Sequence, residues 1–329
     1  MKKILLLISN CAFLMLYTAQ AQDPHFSQFY ANAIYTNPAF AGTSDHTRIS
    51  LNGRKQFTNV PAPMYTTTAS ADMKLSGNGG LGFTCLYDKA GSSALTTTGA
   101  SMIYAHRVAV NRKVTISAAI QAGFVNRNID RSNLVFADQL ETEQGKVRNT
   151  AERLDNPQRF YPNFSAGFTV YTKDFFSGVA IHNIAEPNQS FINTSSRDQQ
   201  YLHQRRYTVH MGMNLYTHRN IRKATVISPN ILCMMQGEAS EVNLGFYARK
   251  DKLTTGLWMR QTMNNSDAVI LMAGYRFEKM TIGYSYDLGV GRSYGNIKSA
   301  HEISLQLAIE KQRYSRGTIK HKKMPCPDL

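Results

Sequence analysis

The chain has 329 residues, with 37 Lys and Arg against 22 Asp and Glu, a formal net charge of +15 and four cysteines. That length fits one large domain or two ordinary ones, and the few, widely spaced cysteines exclude a disulfide framework and a metal-ligand set. No nucleic-acid reader motif accompanies the positive charge, so nucleic acid is excluded as a partner in favour of anionic lipid, an acidic protein, or basic residues that simply line turns and a lumen.

The chain opens with Met1-Lys2-Lys3, an apolar run from Ile4 to Tyr17, then Ala19-Gln20-Ala21 before Gln22-Asp23-Pro24. This is the layout of a secretory signal peptide over 1–21, with cleavage near Ala21. Cys11 lies inside the apolar run, in poor context for lipoprotein processing. Removal of Lys2 and Lys3 with the leader lowers the net charge to +13 over a mature chain of 308 residues. Beyond the leader no stretch offers about 18 consecutive apolar residues, which excludes transmembrane helices but not a closed barrel of strands.

Residues 22–46 form an N-terminal periplasmic segment. Asp23 is placed to cap a helix with Pro24 as its first residue, and Phe26, Phe29, Tyr30, Ala33 and Asn37 follow at helical spacing up to Pro38. This predicts a helical piece lying against or partly inside a barrel mouth.

From residue 47 the pattern has period two. Val242, Leu244, Phe246 and Ala248 alternate with Asn243, Gly245, Tyr247 and Arg249, and Phe164, Ala166, Phe168 and Val170 do the same against Ser165, Gly167, Thr169 and Tyr171. Reading each such run as a strand gives 47–56, 62–74, 78–88, 94–109, 112–127, 162–173, 175–183, 205–217, 222–235, 238–249, 252–262, 267–277, 279–288 and 300–312. The fold class is therefore all-β: an antiparallel transmembrane β-barrel of about 14 strands over 47–312, most strands long enough to cross a bilayer when tilted.

Connections after the even strands are tight, whereas those after odd strands are mostly longer, notably 128–161, 184–204 and 289–299. Outer-membrane barrels sort their loops this way, with short periplasmic turns and long extracellular loops. The 128–161 loop is rich in charge, so it either contacts a surface protein or folds into the pore. Tyr171, Phe175, Tyr216, Tyr247, Trp258, Tyr275, Phe277, Tyr284 and Tyr286 fall near strand ends, where interfacial girdles are expected. The closing residues 313–329 form a basic periplasmic tail, a solvated end or a docking segment for an acidic partner.

Catalytic, cofactor and metal sites find little support. No Gly-x-Ser-x-Gly elbow and no His-Glu-x-x-His occurs, and the glycine-rich Gly77-Asn78-Gly79-Gly80 precedes a strand, which makes it a hairpin turn. His182 and His210 are the candidates for a barrel enzyme such as a phospholipase, with Ser177 or Glu186 as neighbours; Glu238 and Glu241 invite an acid/base reading, against their lumenal pairing with Arg249 or Arg260.

The segment Asp23-Pro24-His25-Phe26-Ser27-Gln28, followed by Asn37-Pro38-Ala39 and Gly42, resembles the opening of the PorP/SprF family. The likeness continues through Pro162-Asn163-Phe164-Ser165-Ala166-Gly167, Gly256-Leu257-Trp258-Met259-Arg260, Gly283-Tyr284-Ser285-Tyr286-Asp287, His301-Glu302-Ile303-Ser304-Leu305 and the closing Pro325-Cys326-Pro327. The resemblance implies a non-enzymatic outer-membrane barrel of the type IX secretion and gliding machinery that helps deliver or anchor secreted cargo, adhesins among it, at the cell surface. Its partners would be secretion components in the periplasm and outer membrane, secreted surface cargo and outer-membrane lipid. The quoted N-terminal residues and Pro325, Cys326 and Pro327 are then the candidates for partner contact. The end Asp328-Leu329 departs from the expected basic or aromatic finish. The strand pattern equally permits a passive porin-like channel, which conductance separates from the secretion role.

Overall fold

The computed structural model describes residues 23–58, 62–75, 77–91, 95–130, 134, 140–141, 145–146, 157–191, 201–218, 224–262, 265–290 and 299–311. The leader over 1–21, the tail over 313–329 with Pro325, Cys326 and Pro327, and most of the charged 128–161 loop lie outside the described residues.

Fourteen strands form one antiparallel sheet. They are β1 (His46–Gln56), β2 (Met64–Lys74), β3 (Gly79–Ala90), β4 (Leu95–Ala109) and β5 (Thr115–Ile129), then β6 (Gln158–Tyr171) and β7 (Phe175–His182). There follow β8 (Arg206–Met213), β9 (Val226–Gln236), β10 (Ala239–Lys250), β11 (Leu253–Thr262), β12 (Asn265–Arg276), β13 (Met280–Gly289) and β14 (Ala300–Lys311). A two-residue extension, Leu215–Tyr216, continues β8 along β9 beyond Asn214. Each strand pairs with its sequence neighbours, β8 meets β9, and β1 closes on β14 with Arg54 opposite Glu302. The ring leaves no free edge, the condition for strands to cross a bilayer.

The burial pattern is the inverse of a soluble protein. On β10 Asn243 is fully buried while its neighbour Leu244 is 61% exposed. On β2 Thr66, Thr68, Ser70 and Asp72 point inward, and on β8 Thr208 and His210 do so against exposed Tyr207, Val209 and Met211. Strand alternation therefore wraps an apolar skin around a polar lumen, as lipid requires. Among the described turns, those joining β2 to β3, β4 to β5, β6 to β7, β10 to β11 and β12 to β13 span two to five residues and share one end of the barrel. We call this the turn end; the connections 130–157, 183–205 and 290–299 lie at the opposite, loop end.

Three expectations change. Among the described residues the N-terminal segment 22–46, expected as a helical piece at the periplasmic mouth, instead runs inside the lumen and holds one short helix, α1 (Ala33–Thr36), followed by a 3-10 turn at Pro38–Phe40, because its polar groups bond to the wall rather than along a helix. Asp23 caps no helix but binds side chains at the loop end. Tyr171, Tyr247 and Trp258 are each 1% exposed and face the lumen, so they do not belong to an interfacial girdle, whereas Tyr216, Tyr275, Phe277 and Tyr284 are exposed. Position along a strand places a residue at a given depth; its parity decides which face it takes.

The interior apolar core sits between segment and wall. Phe29, Tyr30, Ile34, Ala39, Phe40 and Ala41 pack against Ile103, Tyr171, Phe176, Leu232, Tyr247 and Trp258. Phe29 meets Trp258 edge-on at 5.1 Å, and Tyr30 meets Phe176 and Tyr247 at 5.7 and 6.1 Å. Such contacts add about 0.5–1.5 kcal/mol per pair beyond burial.

Candidate functional site: a motif held inside the barrel

The N-terminal segment is a plug that runs through the lumen. Asp23 sits at the loop end, Ser27 and Gln28 lie deeper, α1 turns back toward Thr36, and the chain then descends to Gly42 near the turn end before entering β1.

At the loop end the Asp23 carboxylate accepts from His203 at 2.5 Å and from the Asn183 amide at 2.8 Å, with Arg206 at 3.5 Å. Its backbone N–H donates to Gln236 Oε1 at 2.8 Å. Burial alone would raise its pKa, but His203 and Arg206 outweigh burial and hold the carboxyl well below the usual range. The Pro24 carbonyl accepts from the Tyr35 hydroxyl at 2.6 Å, and Phe26 packs edge-on to Tyr35 at 5.4 Å. Burial lowers the His25 imidazole to about 4; Glu241 and Asp287 oppose this, while Arg260 and Arg54 reinforce it.

The centre of the grip is Ser27. Its hydroxyl donates to Asp287 Oδ2 at 2.7 Å and accepts from Arg54 at 2.6 Å and Arg260 at 2.8 Å. The backbone N–H groups of Ser27 and Gln28 donate to the two oxygens of Glu302, at 2.7 and 3.1 Å. Arg54 in turn bridges Asp287 at 2.7 Å and Glu302 at 3.1 Å, and Arg260 bridges Asp287 at 2.9 Å and Glu241 at 3.1 Å. The Gln28 amide donates to the Glu302 carbonyl at 3.0 Å and accepts from Ser304 at 2.5 Å. Every charge in this buried set faces an opposite charge, the condition under which such a cluster is tolerated. It also reads a short side chain at position 27, since a larger one would displace both guanidinium groups.

Lower down, Asn37 donates to the carbonyls of Phe168 and Val179 at 3.3 and 3.1 Å, lies 3.0 Å from His210 Nε2, and accepts from Ala39 N–H at 2.9 Å. Pro38 opens the 3-10 turn, and the Ala39 carbonyl accepts from Ser117 at 2.9 Å. A Cβ on Gly167 would collide with Asn37 Oδ1, so this wall position has to be glycine. Gly42 has φ +66°, donates to Asp72 at 2.9 Å and accepts from Arg107; its left-handed backbone favours glycine.

Thus Asp23, Pro24, His25, Phe26, Ser27, Gln28, Asn37, Pro38, Ala39 and Gly42 are brought together inside the barrel, and most meet the wall. The strand motifs supply the other half: Trp258 and Arg260, Gly283 and Asp287, Glu302 and Ser304, and Gly167 all face the plug. Arg54, His203, Asn183 and Arg206 were not singled out by the sequence. Their inward parity carries a signal only once a partner from the plug is known.

The catalytic candidates take other places. His182 contacts the Thr36 carbonyl at 3.3 Å and His210 stacks on Phe40 at 5.0 Å, so both serve the plug. Ser177 alternates with inward Phe176 and Gly178 and thus faces away from His210, while Glu186 pairs with Arg205 at 3.2 Å. Glu241 pairs with Arg260, the lumenal alternative.

The family model described as type IX secretion system membrane protein PorP/SprF matches residues 18–307. The chain belongs to the PorP/SprF family. Membership makes it an outer-membrane β-barrel associated with the type IX secretion machinery, and the plug and its wall contacts fall within the matched residues. A comparison with curated proteins finds no match. Among solved structures, the toluene transporter TbuX of Ralstonia pickettii aligns with TM-score 0.50 at 12% identity, covering 85% of this chain and 94% of that one. The toluene transporter TodX of Pseudomonas putida aligns with TM-score 0.46 at 9% identity, over 88% and 98%. Omp33 of Acinetobacter baumannii gives 0.46 at 7% identity, over 80% and 98%. The likeness to TbuX is one of fold alone.

Proposed function

We propose that this PorP/SprF-family barrel is a non-catalytic scaffold that helps deliver or anchor secreted cargo, such as adhesins, at the cell surface through protein contacts at its two ends. The observation that carries the reading is the plug. A lumen filled by the chain's own N-terminal segment and gripped by buried ion pairs suits an anchor better than a conduit.

By loop length, the loop end faces the cell exterior and the turn end the periplasm. Cargo meets the long loops and the members of the motif nearest the loop end, Asp23, Pro24 and His25. Exposed Arg112, Lys113, Lys173, Lys250, Lys252 and Lys279 at the turn end, continued by the basic tail 313–329, favour an acidic periplasmic component of the machine or the anionic headgroups of the membrane. Signal-peptide cleavage near Ala21 completes the proposal, because it frees the residues next to Asp23 to lie at the loop end; intact-mass measurement of the mature protein tests it.

Deletion of the gene is expected to abolish surface display of at least one type IX cargo, with restoration by the wild-type chain. Unchanged display of all cargo contradicts the reading. Purification in mild detergent is expected to recover secretion components with the barrel; repeated recovery of the barrel alone under cross-linking counts against it.

A further inference from the structure

We propose that a cavity at the loop end is a binding site for a short, extended stretch of polypeptide with apolar side chains. The proposal deepens the reading of the barrel as a receptor for secreted cargo and rests on it.

The cavity holds about 480 Å³, within the roughly 300–1,000 Å³ of sites that enclose small ligands. It arises because the plug fills the lumen unevenly. Ser27, Gln28 and Phe29 press against β1, β11, β13 and β14, which leaves a gap before the loop-end halves of β3 to β6. Asp23, Pro24, His25 and Tyr35 form its plug side.

Its wall is chemically mixed. Thr84 on β3, Gln121 and Arg127 on β5, and Asn163 on β6 bring polar side chains to it, and His25 joins them from the plug. The lining also sets apolar Leu86, Leu95 and Val125 beside polar Asp88, Thr97 and Ser101. An acyl chain would fill the apolar wall but shut Asp88, Thr97 and Ser101 away from water without giving them a new partner. A saccharide would pair them while setting hydroxyls against Leu86, Leu95 and Val125. A polypeptide offers N–H and C=O groups at regular intervals with side chains between them, which satisfies both kinds of surface.

The test places a photoreactive benzoylphenylalanine at Leu86 in the full chain, in living cells that display cargo. Gly99→Trp supplies the control: an added Cβ there meets neighbours only at 3.6–3.9 Å, so the backbone tolerates it and the indole fills the cavity. The expected result is a polypeptide adduct that maps reproducibly to a short segment of cargo, reduced at least tenfold by Gly99→Trp while the barrel remains heat-modifiable on gels. Adducts to lipid or saccharide alone, no adduct in cells whose surface carries cargo, or a yield indifferent to Gly99→Trp overturns the inference. If display depends on the barrel yet Leu86 captures only lipid, the cavity inference fails by itself; if display survives gene deletion, the receptor reading fails first.

Discussion

Arg54 and Glu302 stand opposite each other on the first and last strands, 3.1 Å apart, and both hold Ser27 of the plug. The closing seam of the barrel and the grip on the N-terminal motif are therefore one structure. Because Glu302 accepts from two plug N–H groups as well as from Arg54, Glu302→Ala leaves those two buried donors without an acceptor and Arg54 with Asp287 as its remaining carboxylate partner. A loss of about 2–6 kcal/mol is expected, from about 1–3 kcal/mol for each buried donor left unpaired, read as a lower temperature for loss of the heat-modifiable form. Ser27→Ala removes one hydroxyl and is expected to cost about 1–3 kcal/mol. The two effects should fall well short of adding, since both act on one network.

Gly167 is where the wall yields to Asn37. Gly167→Val is expected to leave the strands paired but push the plug out of register, raising conductance in planar bilayers and protease cleavage within 23–43. Gly77→Val is a poor control because its φ is +78°. Gly53→Ala, where an added Cβ meets nothing within 4 Å, should change neither reading.

The buried His25 imidazole, lowered to about 4 from an ordinary 6.5, gives the plug a pH dependence. A base whose folded pKa is depressed contributes stability that is present above the unfolded value and lost as pH falls through the folded one. The plug is therefore expected to loosen between about pH 6.5 and 4, where protonation favours the released segment. Plug protease sensitivity measured against pH should rise across that window, and His25→Gln should flatten the profile.

The apolar skin makes the outward parity testable. Leu244, 61% exposed in the middle of β10, faces lipid. Leu244→Arg is expected to destabilise the inserted barrel by about 2–4 kcal/mol, and less at positions nearer the membrane surfaces. A neutral effect at Leu244 in refolding titrations would place this face elsewhere.

The strands were legible because the alternation runs over ten or more residues and the hairpins punctuate it; β10 and β11 can be read almost to the residue. Glu241 with Arg260 was legible for the same reason, since a charge at an inward position calls for a partner. The plug was not. Phe26, Phe29, Tyr30 and Ala33 have helical spacing, yet the contacts that shape the segment come from far away: Ser27 and Glu302 are 275 residues apart in the chain. Local propensity carries no trace of such partners, and a segment whose backbone donors are taken by a carboxylate has no need to close helical turns. Trp258 was assigned to the membrane surface for a similar reason, although inward Thr254 and Arg260 on the same strand already fixed its parity.

The family's N-terminal motif closes the barrel from within. Single-channel recording of the purified full-length protein in planar bilayers tests it most directly. Little or no steady conductance is expected at neutral pH, and large steady steps once residues 23–43 are deleted or the plug is displaced by Gly167→Val. A large, steady conductance from the unaltered protein at neutral pH would contradict it.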